Sequence, residues 1–91
     1  SMDLTVYGPL RSATGEKRVS VDPDNETVAA VVEAFVGAYP RARSHLVDQE
    51  GALRPSVRVT VDGERVALDD DCPPDAEVAL FPAMRGGDRR V

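Results

Sequence analysis

"TVAAVVEAFVGAYP", residues 27–40, is where the apolar period of this 91-residue chain changes from two to about 3.6. Val28, Val31, Val32, Phe35 and Tyr39 fall at i, i+3, i+4, i+7 and i+11, which is one stripe of a helix. Asn25 or Thr27 supplies the cap, because a short side-chain oxygen accepts from a free first-turn amide. The acids Asp22, Asp24 and Glu26 sit near the positive end of the helix dipole. Pro40 ends the helix, since proline disfavours a helical conformation in the residue before it. So many valines carry a propensity penalty, so this helix needs a sheet to pack against.

The sequence on both sides supplies that sheet. Leu4 to Tyr7 alternate, with Leu4 and Val6 on one face and Thr5 and Tyr7 on the other. Gly8, Pro9 and Ser12 to Gly15 read as turn chemistry leading to a second alternating run through Val19 and Val21, hence a hairpin. After Pro40, "RARSHLVDQEG" reads as a short helical turn with Leu46 and Val47 inward. Val57, Val59 and Val61 then alternate with Arg58 and Thr60, and Asp62-Gly63 is a type I′ hairpin signal. Val66 and Leu68 carry the return strand, "DDDCPPD" is a polar loop, and "AEVALFP" is the last strand. The expected architecture is α+β: a mixed sheet of four to five strands on one main helix, in the order β-β-α-β-β-β. The last strand is expected beside the first.

Composition bounds the rest. This length makes one domain, with 42% hydrophobic and 30% charged residues, an ordinary globular balance. Ser1 before Met2 resembles an expression scar, residues 3–82 read as the domain, and 83–91 as a flexible tail. The net charge of −5 repels phosphate backbones, so no nucleic-acid partner is expected. No run of about 18 apolar residues or signal segment is seen, which excludes a membrane partner and makes the cytoplasm the expected compartment. The single cysteine, Cys72, excludes a thiolate metal cluster, and with His45 the only histidine neither a zinc site nor a Ser-His-Asp triad is expected. Asp69 to Asp71 lack the oxygen-ligand spacing of a calcium loop, so no metal is expected there.

Taken together, "TVAAVVEAFVGAYP", "VRVTVDGERV" and "DAEVALFPAMRGG" resemble the β-grasp ubiquitin-like family over residues 3–87. That family includes the molybdopterin-synthase small subunit, the thiamine-pathway sulfur carrier, the ubiquitin-related modifier and the small archaeal modifiers. Its usual ending is two prolines, a valine, one residue and a glycine pair. Here Pro82 keeps the first proline, while Ala83 and Met84 stand for the second and the valine. The resemblance implies that the chain is no enzyme but the substrate of one. An ATP-dependent activating enzyme adenylates the carboxylate of Gly87, behind Gly86, for thiocarboxylate formation or for transfer to a lysine of a target protein. No cofactor is bound by the chain itself, and ATP belongs to the activating enzyme.

Asp88 to Val91 follow Gly87, so the same resemblance implies a tail-removing protease that cuts between Gly87 and Asp88. It also implies that the open sheet face and tail dock on the activating enzyme. Tyr7, Arg58, Thr60, Phe81, Met84 and Arg85 are the expected contact residues, aromatic and arginine side chains being good anchors. Lys17, the sole lysine, is a candidate acceptor. Cys72 is expected to be inert, because acidic neighbours raise a thiol pKa. The protein is expected to be a monomer. The reading from a different class is a non-covalent β-grasp interaction module whose tail is never cut.

Overall fold

The computed structural model describes residues 2–82. Five strands, β1 (Met2–Val6), β2 (Arg18–Val21), β3 (Arg58–Val61), β4 (Glu64–Val66) and β5 (Val78–Phe81), form one sheet in the order β2-β1-β5-β3-β4. The last strand lies in the centre. It runs parallel to β1, with Leu4 opposite Val78 and Val6 opposite Leu80, and antiparallel to β3, with Val59 opposite Leu80. This register aligns the apolar residues of three strands on one face. Leu4, Val6, Val59, Val78 and Leu80 are all buried there.

The main helix, α2 (Val28–Ala38), supplies the second layer. Its stripe Val28, Val31, Val32 and Phe35 is buried in the same core, and Phe35 is fully enclosed. Burying such a side chain contributes roughly 1.5–3 kcal/mol, which outweighs the weak helix propensity of valine. Thr27 is the cap: its Oγ1 accepts the Ala30 amide at 3.1 Å. Its hydroxyl also donates to Asn25 Oδ1 at 2.6 Å, so the two capping candidates act together. The helix closes before Pro40, where a 3₁₀ turn (Pro40–Ala42) and the short α3 (Arg43–Leu46) follow and turn Leu46 and Val47 inward.

Two expectations need correction. The segment after Gly8 is not a bare turn but a helix, α1 (Pro9–Thr14), with Pro9 in its first turn and Gly15 (φ 80°) as a left-handed cap. Leu10 explains it: this helix closes one end of the core with a fully buried leucine. Strand β4 also stops at Val66, before Leu68. The Ala67 amide donates to Asp70 Oδ2 at 2.7 Å, and the Leu68 carbonyl accepts from Ala29 at 2.9 Å. Those bonds redirect the chain toward the start of α2. Between β3 and β4, Asp62 (φ 52°) and Gly63 (φ 85°) both take positive φ, the type I′ requirement.

The loops at that end of the sheet are stitched together. Cys72 donates its amide to Glu26 O, Val28 to Asp70 O, and Asp62 to Glu77 O, while the Glu77 amide donates to Asp62 Oδ1. The carboxylates of Asp62 and Asp70 thus have structural work, and the Asp71 backbone bridges to Thr27. Among the described residues no three histidine, cysteine or carboxylate groups converge as a metal set. No described helix is long and apolar enough to cross a membrane.

Candidate functional site

The face of the sheet away from α2 is where the sequence leaves large side chains uncovered. Because side chains alternate, Thr5, Arg58, Thr60, Ala79 and Phe81 share this face. Phe81 is the last residue of the central strand and so has a neighbour on each side. From β3, Arg58 stands directly opposite it, with the guanidinium carbon 4.7 Å from the ring centroid. From the end of β1, Tyr7 stacks on it with centroids 4.5 Å apart and ring planes 8° from parallel. Tyr7 is 37% exposed, the one large apolar side chain that stands out into solvent among the described residues. A cation over an aromatic ring contributes about 0.5–1 kcal/mol at such exposure and holds the guanidinium in place.

Pro55, Ser56 and Arg65 were not anticipated as part of this face. They close a groove of about 450 Å³ with Tyr7, Arg58 and Phe81, beside buried Pro82. Arg65 was legible from strand alternation, since it stands opposite Thr60 in β4. Pro55 and Ser56 sit in the irregular run before β3, where no periodicity marks a direction. Thr60 lies on the open face, two register positions from the stack and outside the groove lining. A larger depression of about 510 Å³ runs past Asp3, Asp75 and Glu77 at the other end, without an aromatic side chain.

The remaining candidates separate. Met84, Arg85, Gly86, Gly87 and Asp88 lie outside the described residues. In the sequence they follow Pro82. Lys17 is exposed just before β2, and its carbonyl accepts the Val6 amide at 2.8 Å. Cys72 is buried at 1% exposure, and burial is the main cause that pushes its thiol pKa up, with Asp62 adding to it. The sequence pointed to the neighbouring acids; the larger cause is the loss of solvent. Such a thiol keeps its proton at neutral pH and is a poor nucleophile.

The terminal strand and its aromatic exit are the features to compare with known proteins. The family model described as the ThiS family matches residues 4–87. This chain belongs to the ThiS family. Small archaeal modifier protein 1 of Haloferax volcanii is 33% identical over 87 residues, which is 94% of this ThiS-family chain and 100% of that protein. The crystal structure of the Haloferax protein superimposes with a TM-score of 0.80 at 33% identity, covering 94% of this chain and 98% of that one. Mycobacterium tuberculosis CysO is 25% identical with a TM-score of 0.78, covering 92% and 100%. These matches make the fold a β-grasp, ubiquitin-like one, and the similar proteins are small modifiers and carriers rather than enzymes.

Proposed function

We propose that this chain is a ubiquitin-like protein modifier or sulfur carrier whose working group is the carboxylate of Gly87. The observation that carries this reading is the extent of the family match, which runs through Gly87 and stops before Asp88. Likeness to a protein named as a modifier supports the same reading. A protease of the cell first hydrolyses the Gly87–Asp88 peptide bond, and water supplies the new carboxylate oxygen. The carboxylate then attacks the α-phosphorus of ATP on an activating enzyme and expels pyrophosphate. A sulfur nucleophile or a target lysine amine displaces AMP, giving a thiocarboxylate or an isopeptide bond.

The chain's own contribution is access and docking. Gly86 and Gly87 have no Cβ, so the backbone enters a narrow channel and leaves the acyl carbon open to attack. The Tyr7–Phe81–Arg58 stack, at the end of the strand that leads to the glycines, is the surface that holds the partner while this happens. Intact mass spectrometry of the chain after incubation with an extract of its own cells tests the reading. A product ending at Gly87, or its thiocarboxylate, is expected, and higher-mass conjugates should vanish when Gly87 is deleted. A chain that stays whole and unconjugated overturns it and leaves the non-covalent module.

A further inference from the structure

Helix α2 packs on the sheet with one side, and no described residue covers the other. Its eleven residues include a single charged side chain, Glu33, whereas a surface helix ordinarily has a polar outer face. Opposite the buried Val28, Val31, Val32 and Phe35, the outer stripe Ala30, Glu33, Ala34 and Gly37 is half-buried or exposed. Glycine inside a helix is less stable than alanine. Among the described residues nothing outside its own turn lies within 4 Å of where a Cβ on Gly37 would stand. The packing of one copy therefore gives no reason for this glycine, and close approach by another backbone does.

The charges along this face are ordered. Asp24 and Glu26 are exposed before the helix, Glu33 within it, and Arg41 and Arg43 just past its end. Among the described residues Glu33, Arg41 and Arg43 have no ion-pair partner. Glu33 stands four residues before Gly37, and Arg41 four after it. An antiparallel pair with its two-fold axis at Gly37 sets Glu33 of each copy toward Arg41 of the other. It also sets the acidic entrance of one helix against the basic exit of its partner, and opposes the two helix dipoles. A parallel pair would put like charge on like.

We propose that the outer face of α2 is a contact surface for a second copy of this chain, packed antiparallel about Gly37 with two Glu33–Arg41 pairs. This departs from the monomer that the sequence leads one to expect, and it does not depend on activation of Gly87. A small ligand is not the occupant, since the groove between this helix and Leu68 holds only about 40 Å³. Eleven helical residues span about 16 Å, so two such helices cover less than the roughly 800 Å² per partner of a standard stable complex. The pairing is therefore weak and concentration-dependent. Because α2 lies on the inner face of the sheet, it leaves both Tyr7–Phe81–Arg58 faces outward. A pair thus offers the docking surface proposed above twice, which raises the effective concentration for a second engagement.

The test is sedimentation equilibrium and amide NMR of the full chain at low salt, at concentrations rising to about 1 mM. The amides of Ala30, Glu33, Gly37 and Arg41 should shift with concentration, while those of Arg58 and Phe81 stay still. Glu33→Arg alone, or Arg41→Glu alone, sets like charges together twice and should weaken self-association about 10-fold or more. Mixing the two variants should restore it as a heterodimer, because each then meets the other's opposite charges. Both changes in one chain should restore the homodimer. Gly37→Ala supplies a reading that a role within one copy would not: the thermal midpoint should rise while self-association falls. A chain that stays monomeric throughout overturns the proposal, as do shifts confined to the Tyr7–Phe81 face. So does a mixture of the charge variants that pairs no better than either alone, or undiminished association of Gly37→Ala. Shifts on this face with a cell extract but none on concentrating the chain would assign it to a different protein, and also overturn the proposal. None of these readouts requires cleavage or activation at Gly87, so a failed mass experiment and a failed association experiment are distinct results.

Discussion

Leu80 and Phe81 are neighbours in one strand and belong to different machines. Leu80 points under α2 and is fully buried between Val6 and Val59, its partners on the two adjoining strands. Phe81 points to the open face, half-buried between Tyr7 and Arg58. A period of two is enough to separate them, because a strand alternates its side chains between faces. The inner face has no buried polar or charged side chain among the described residues, and its neighbours are fixed by packing. The outer face mixes Thr5, Arg58, Thr60 and Phe81, which alone would make no core. What holds the fold and what is proposed to meet a partner are therefore interleaved along β5.

The largest effect should come from Leu80→Ala. Truncating a buried leucine removes its transfer energy and leaves a cavity, costing about 2–5 kcal/mol. One kcal/mol moves the midpoint of a domain this size by roughly 4–8 °C, so the thermal transition should fall by more than about 10 °C. Calorimetry or circular dichroism reads this directly. Phe81→Ala should be milder, about 1–2 kcal/mol, since it loses one stacked pair and one cation–π contact at a half-exposed site. It should nevertheless weaken binding of the activating-enzyme partner, which Leu80→Ala does not do below its own transition. If Phe81→Ala destabilises as much as Leu80→Ala, the open face is a second core and the division between the two faces is wrong.

The inner face was legible because burial imposes a period, while the outer face was legible only where a strand fixed direction. Val28, Val31, Val32 and Phe35 announced their stripe, and Asp62-Gly63 announced its turn by conformational need. Phe81, Tyr7 and Arg58 could be placed on one surface by alternation. Their stacking could not, because it depends on the parallel register that sets Val6 beside Leu80. Helix α1 was read as a turn although Pro9 and Gly15 sit where helix ends favour them. Six residues with a single buried leucine are too few to show a period of 3.6. The groove walls Pro55 and Ser56 had no pattern to read at all, since their positions follow from where β3 begins.

The smallest effect tests the connection between the layers. Asp48 folds the turn between α3 and the run to β3, accepting the amides of Glu50 at 2.8 Å and Ala52 at 3.1 Å. Those amide bonds, the Glu50 one first, hold its pKa below the ordinary aspartate range, with Arg54 helping against partial burial. A folded-state pKa below the unfolded one means stability that is fully present above the unfolded value, about 3.9. That stability is lost as pH falls through the folded value. Acid should therefore loosen the 48–52 turn, with little change between pH 5 and 8. Asp48→Asn should flatten this part of the acid limb in a urea-midpoint series. Amide exchange adds the comparison that matters. If Arg58 loosens with the turn while Leu80 stays protected, the two faces of β5's neighbourhood open independently. If both open together, the turn is part of the core's cooperative unit, and the separation of the faces holds for chemistry but not for unfolding.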